Sequence, residues 1–244
     1  MPSAAHPIGL VGFDGDDTLW RSEDFYQQAH GEFERVLEHY LDLADARIHD
    51  RLLATEKRNI ALFGYGAKGM TLSMVETAIE LTEGRISAAD LHRVVELGKA
   101  VLRHPVELLP GVREAVEAVA ACHPVVLITK GDLFHQEDKV ARSGLADLFH
   151  RIEIVSEKDA GRYARVLREF GQPASGFAMV GNSLRSDIDP VVRLGGWGIH
   201  IPYRLTWAHE MEHALAPDEP RCLTVADASQ VPAALAEIEH RAAA

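Results

Sequence analysis

Val11-Gly12-Phe13-Asp14-Gly15-Asp16-Asp17-Thr18-Leu19 is the stretch on which the reading of the fold turns. The apolar run over residues 8–13 stops abruptly at acidic residues, the pattern of a parallel strand buried on both faces whose carboxyl end carries polar groups. Residues 124–129, 152–155 and 177–180 repeat that pattern, and residues 197–202 read as a fifth strand on which His200 is a structural residue. Helix-like stretches lie between them: 112–121, opened by Pro110-Gly111, and 160–170, stopped by Gly171 and Pro173. Alternating strands and helices predict a doubly wound parallel α/β sheet. Ligands of such sheets sit outside the carboxyl ends of the strands, where the polar clusters of this chain fall.

From residue 22 to residue 103 the pattern changes to long helix-like segments, 24–40, 48–61, 71–81 and 88–102, with no convincing strand. The expected organisation is an α/β core from residues 1–21 and 104–244, with a helical cap, residues 22–103, inserted after the first strand as a lid over the catalytic edge. The alanine-rich C-terminus is expected to fray.

Composition narrows the function. A chain of 244 residues, 47% hydrophobic, can bury a full core and carry an inserted lobe. With 37 acidic residues against 25 Lys and Arg, its net charge of −12 has the wrong sign for gripping nucleic acid. A small phosphorylated metabolite needs only a local positive spot and stays compatible. Cys122 and Cys222 are too far apart for metal-ligand spacing and read as buried or inert thiols. No stretch approaches the roughly 18 apolar residues of a membrane span, and the first residues do not read as a leader, so a cytoplasmic protein is expected.

Asp14 and Asp16 lie two apart at a strand end, with Asp17 beside them. Carboxylates this close repel one another, and a divalent cation relieves the repulsion; oxygen-only ligands favour magnesium. The plain alternative is a solvated acidic turn capping a helix.

The segment 13–19 resembles the first motif, DxDxT, of the haloacid dehalogenase-like (HAD) superfamily. Later motifs agree in order: Thr129 ends the second strand, Lys158 follows the third, and Gly181-Asn182-Ser183-Leu184-Arg185-Ser186-Asp187 is similar to the fourth, GDxxxxD. The helical insertion stands where that family places a type 1 cap. The resemblance implies a magnesium-dependent phosphatase: Asp14 attacks phosphorus to give an aspartyl-phosphate, and Asp16 serves as general acid and base while its carbonyl ligates the metal. Thr129 and the Lys130-Gly131 backbone hold phosphoryl oxygens, and Lys158 offsets the charge of nucleophile and phosphate. Asp14, Asp16, Asn182 and Asp187 form the implied metal set. Asn182 departs from the pattern, standing where an aspartate is usual, so weaker metal binding is expected. Gly15 departs mildly, in a place where a larger apolar residue is common. A carbon–halogen hydrolase of the same superfamily, or a catalytically weak phospholigand-binding protein, are the alternatives; Asp16 argues against the first, and the set of Asp14, Asp16, Thr129 and Lys158 against the second.

Other motifs carry less. Gly64-Tyr65-Gly66-Ala67-Lys68-Gly69 fits a dinucleotide fingerprint, but no strand precedes it, so it reads as a flexible turn offering Tyr65 and Lys68 for substrate contact. His209-Glu210-Met211-Glu212-His213 matches H-E-x-x-H, yet lies in an acidic tail without an evident third ligand and reads as a surface helix. Asp189 reads as an acidic turn before Pro190, and Trp20, Tyr26 and Phe63 as core side chains or walls of a substrate entrance.

Overall fold

The computed structural model describes residues 7–42, 47–205, 215–216 and 219–243. Strands β1 (Leu10–Phe13), β2 (Val125–Lys130), β3 (Arg151–Val155), β4 (Phe177–Gly181), β5 (Trp197–His200) and β6 (Cys222–Thr224) form one sheet in the order β3-β2-β1-β4-β5-β6, every pair parallel. Helices α1 (Glu23–Leu37), α2 (Ile48–Phe63), α3 (Ala67–Leu81) and α4 (Ala88–Arg103) follow β1. Next come α5 (Val112–Ala120) before β2, α6 (Leu133–Ser143) after it, α7 (Ala160–Glu169) and α8 (Asp189–Arg193) on either side of β4, and α9 (Val231–Ala243) last.

The chain separates into two compact units. One holds the sheet and comprises Met1–Arg21, Val106–Lys130 and Gln136–Ala244; the other is helical and comprises Ser22–Pro105 with Gly131–His135. In the sheet unit, alternation along each strand sends residues to opposite faces. Val11 and Phe13 of β1, Val125 and Leu127 of β2, and Ala178 and Val180 of β4 pack with α5 and α9. Leu10, Val126, Ile128, Phe177 and Met179 pack on the other face against Tyr163, Val166 and Leu167 of α7. Both faces are therefore covered, which is why the strands read as unbroken apolar runs. The chain leaves β1 toward β2 on one side and returns to β4 on the other. That reversal makes the carboxyl end of β1 the switch point of the sheet.

The C-terminal segment does not fray as expected: α9 buries Val231, Ala234, Leu235 and Ile238, and this apolar face holds an alanine-rich helix in place. β6 was not anticipated, because Cys-Leu-Thr is only half-buried and too short for a periodic signal. Cys122 is exposed rather than buried, whereas burial pushes the half-buried Cys222 thiol up to about 11. No helix among the described residues is long and apolar enough to cross a membrane.

The helical unit has its own core, in which Ala29, Phe33 and Leu37 of α1 meet Leu52 of α2, Met70, Met74 and Ala78 of α3, and Val94 and Val101 of α4. Ser87 caps α4, its hydroxyl accepting from the Asp90 amide at 3.1 Å. Helix α3 begins at Ala67, four residues before the expected start at Thr71, so the fingerprint-like segment is a helix junction: Gly64 (φ 72°) ends α2 and Gly66 (φ 114°) opens α3. The Lys68 ammonium is paired with both Asp132 oxygens, at 2.9 and 3.0 Å, and Asp132 also accepts from the His135 amide at 3.0 Å. Tyr65 is half-buried and Phe63 is largely exposed.

A close approach of α4 to α3 sets the helix packing. A Cβ on Gly98 would stand 1.7 Å from Thr71 Oγ1, which itself donates to the Ala67 carbonyl at 2.6 Å. Alanine is favoured over glycine inside a helix by about 1 kcal/mol, but overpacking costs about 1–3 kcal/mol. Gly98→Ala is therefore expected to lower stability in urea unfolding, with Thr71→Ala restoring most of the loss in the double variant; a stabilised single variant would contradict this packing.

Candidate active site

Strand β1 delivers its acidic residues through a tight turn. The Asp14 amide continues the sheet by donating to the Val180 carbonyl at 2.9 Å. The Gly15 carbonyl then takes the amides of Thr18, Leu19 and Trp20 at 3.3, 2.8 and 3.3 Å. Asp17 turns the chain with a left-handed φ of 61°, a conformation that aspartate tolerates better than most residues, and its amide donates to the Trp20 carbonyl at 2.7 Å. Gly15 is small for a local reason: a Cβ there would lie 2.7 Å from the Trp20 ring and 3.1 Å from Thr129 Oγ1.

A buried lysine joins two carboxylates. Lys158 Nζ is ion-paired with Asp14 Oδ1 and lies 2.7 Å from Asp187 Oδ1; the three side chains are 2%, 8% and 1% exposed. Lys158 comes from the loop between β3 and α7, and Asp187 from the turn of π-helix Leu184–Ile188 after β4. The Ser183 amide donates to Asp187 Oδ2 at 3.0 Å, and Gly181 leaves room for that carboxylate, since a Cβ there would meet it at 2.3 Å. Burial and the Asp187 charge push the Asp14 carboxyl up to about 7, with Lys158 opposing them. Burial would lower the Lys158 ammonium, but the Asp14 and Asp187 carboxylates carry it well above the usual lysine range.

Thr18 ties β1 to β4. Its hydroxyl is 3.1 Å from Asp14 Oδ2 and 3.2 Å from Asn182 Oδ1, and it accepts from the Asn182 amide at 3.0 Å. His200 on β5 bonds the Asn182 carbonyl at 3.1 Å through Nε2, the structural part expected of it.

Asp16 has a separate set of partners. Oδ1 accepts from Lys139 Nζ at 2.5 Å and Trp20 Nε1 at 2.6 Å, and Oδ2 accepts from Gln136 Nε2 at 3.0 Å. Burial would raise its carboxyl, but the Lys139 ammonium, Trp20 and Gln136 hold it below the usual carboxylate value. Gln136 also donates to Thr129 Oγ1 at 3.1 Å and to the Lys130 carbonyl at 2.7 Å. The two Nε2 protons of Gln136 are thus shared among three acceptors, Asp16 Oδ2, Thr129 Oγ1 and the Lys130 carbonyl. Lys130 turns its ammonium to Ser186 Oγ at 2.8 Å.

Asp14, Asp16, Thr129, Lys158, Asn182 and Asp187 therefore come together at one edge of the sheet unit. Lys68, Tyr65 and Gly131 belong to the helical unit. Asp189, read as an acidic turn before Pro190, instead starts helix α8 and pairs with Arg193 at 2.9 Å. Trp20, wholly buried, is a core residue that also serves Asp16. The H-E-x-x-H segment, 209–213, lies outside the described residues. Lys139 and Gln136 had no assigned role in the sequence reading, and Trp20 was read only as a core side chain or an entrance wall. Helix α6 hides its function because its buried stripe, Gln136, Lys139, Val140 and Ser143, is helical in spacing but mostly polar, so hydrophobic periodicity passes over it. The available signal was two long polar side chains one turn apart, shortly after Thr129.

Among the described residues no group of three or more His, Cys, Asp or Glu side chains is arranged to hold a metal ion. The oxygens that do gather, the Asp14 carboxylate, the Asn182 amide and the Asp187 carboxylate, are hard donors of the kind magnesium takes.

Residues 8–195 match the family model described as haloacid dehalogenase-like hydrolase. A haloacid dehalogenase-like family hydrolase from Xanthomonas campestris is 60% identical, covering 97% of this chain and 98% of its own, with a TM-score of 0.88. A 2-haloacid dehalogenase from Pseudomonas syringae pv. Tomato is 22% identical over 94% of this chain and 99% of its own, TM-score 0.61. A Bacillus subtilis protein assigned to the HAD hydrolases and bound to magnesium is 16% identical over 93% and 98%, TM-score 0.60. The latter two likenesses speak for the fold. Comparison with curated proteins returns no match.

Removing the shared cation should expose how much the site depends on it. Taking one partner from a buried ion pair costs about 3–5 kcal/mol, so Lys158→Met is expected to lose about that much in urea unfolding at neutral pH. In the variant the buried Asp14 carboxyl, already pushed up, loses the cation that opposes that push and binds its proton more readily folded than unfolded, so the stability deficit should shrink as pH falls. A deficit that is small or independent of pH would contradict the triad.

Proposed function

The chain belongs to the haloacid dehalogenase-like hydrolases, and from that premise we propose that it hydrolyses a small phosphate monoester through an aspartyl-phosphate, with magnesium as cofactor and the helical unit as its cap. Asp14 is the nucleophile: one oxygen is engaged by Lys158, and the other is within reach of Thr18. It attacks phosphorus while the ester oxygen departs, and Asp16 gives that oxygen its proton. Water then attacks phosphorus, surrenders a proton to Asp16, and releases inorganic phosphate from Asp14. Thr129 donates to a phosphoryl oxygen, and the backbone of Lys130 and Gly131 provides further contacts. Lys158 holds positive charge beside the nucleophile in both half-reactions.

Asp14, the Asp16 carbonyl, Asn182 and Asp187 would hold the metal, which when bound supplies positive charge to the phosphoryl oxygens and the nucleophile. Asn182 brings an oxygen without charge. Asp187 already serves Lys158 and Ser183, so the set is poorer in free charge than one with an aspartate at 182.

One observation favours phosphoryl over carbon–halogen chemistry. Asp16, two residues from the nucleophile, is joined through Gln136 to Thr129. A halide leaves as an anion and needs no proton, whereas an alkoxide needs one.

Purified protein is expected to turn over p-nitrophenyl phosphate only with magnesium, and Asp14→Asn to abolish the turnover. Halide release from haloacids without phosphate release would replace this reading with the dehalogenase, and binding of phosphate without turnover would replace it with a sensor. Asn182→Asp is expected to lower the magnesium concentration needed for half-maximal rate several-fold; an unchanged or higher requirement would contradict the part given to Asn182.

A further inference from the structure

Residues 131–135 stand between Thr129 and Gln136 in sequence, both of which belong to the sheet unit, yet they are part of the helical unit. The start of α3 holds them there. The Lys68 ammonium lies 2.9 and 3.0 Å from the two oxygens of Asp132 and 5.7 Å from the centre of the Phe134 ring. A Cβ on Gly66 would stand 3.2 Å from the Asp132 amide nitrogen, so the backbones also approach closely. Asp132 in turn accepts the His135 amide at 3.0 Å, as an N-cap residue of α6 does. Gly131 has a φ of 147°, in the region that glycine adopts readily, and it has no side chain by which its peptide could be held. Its neighbours orient it instead. On one side the Lys130 carbonyl accepts from Gln136 at 2.7 Å; on the other stands Asp132, gripped by Lys68.

We propose that Lys68 is a positioning residue for the phosphoryl group: its ion pair fixes Asp132, and through Asp132 the Lys130-Gly131 turn whose backbone receives phosphoryl oxygens. The inference rests on the phosphatase reading above. It gives Lys68 a different part from the substrate contact offered for it by the sequence. A lysine that touches substrate spends its ammonium on the alcohol portion of the ester, whereas here both Asp132 oxygens already face that ammonium. Phosphate monoesters differ in the alcohol and share the phosphoryl group. A residue that acts on the turn therefore weakens every ester, and inorganic phosphate, by one factor. Ground state and transition state hold the same phosphoryl oxygens against the turn, so the loss falls on KM and leaves kcat largely in place. The Lys68 side chain is 53% exposed and that of Asp132 23%, so the pair is partly screened by solvent and the factor is modest.

Two esters, inorganic phosphate and a double variant separate positioning from contact. At low ionic strength Lys68→Met is expected to raise KM on p-nitrophenyl phosphate and on p-carboxyphenyl phosphate by the same factor, about 2- to 5-fold. The inhibition constant of inorganic phosphate should rise by that factor too, with kcat little changed. Lys68→Arg, which keeps the cation, should restore most of the loss. Asp132→Asn, which removes the charge but keeps an acceptor for the His135 amide, should cost about as much as Lys68→Met, and the double variant no more than either alone. In variants that unfold like the wild type, three results would overturn the positioning role and leave the phosphatase reading intact. These are no loss in Lys68→Met, a loss confined to the carboxylated ester or sparing inorganic phosphate, and a further loss when Lys68→Met is added to Asp132→Asn. Wild-type protein that turns over neither ester would overturn both.

Discussion

The ammonium of Lys158 between Asp14 and Asp187 is the contact on which the rest of the site depends. Both carboxylates are almost wholly buried, and burying two like charges side by side is unfavourable unless an opposite charge lies between them. Asp187 can occupy its place only because Gly181 has no side chain and the Ser183 amide takes its second oxygen. Lys158 reaches there from the loop after β3, while Asp14 and Asp187 arrive from β1 and from the turn after β4. Three segments distant in sequence are thereby pinned at one point.

The sheet makes that meeting possible. Parallel strands place all their carboxyl ends at one edge, and the reversal of direction between β1 and β4 opens that edge at the nucleophile. Two aspartates of one turn then acquire different surroundings: Asp14 is pushed up toward neutrality by burial and the Asp187 charge, while Asp16, with its own lysine and an indole, is held low.

Much of this was legible in the sequence, and for identifiable reasons. Strands buried on both faces are continuous apolar runs, so their ends are easily read; Asp14 and Asp16 showed there as a close acidic pair, while Thr129, Lys158 and Asn182 were singled out only through the resemblance to the HAD motifs. Gly15 showed as an irregularity, and its cause, the Trp20 ring and the Thr129 hydroxyl, became evident only in three dimensions. Helix α6 escaped notice because polar side chains fill its buried stripe, so Lys139 and Gln136 left no periodic trace. β6 is too short for a pattern, and α9 looked like a fraying alanine-rich end because the apolar face that secures it is narrow. Sequence patterns report burial by apolar surface; a site built from buried polar groups is the place where they fail.

The central claim is that Asp14 bonds to phosphorus. Acid quenching during turnover of p-nitrophenyl phosphate, followed by mass spectrometry of the peptides, should find one phosphoryl group on the peptide containing Asp14 and none in Asp14→Asn. Turnover with Asp14 unmodified and the phosphoryl group on another residue would contradict it.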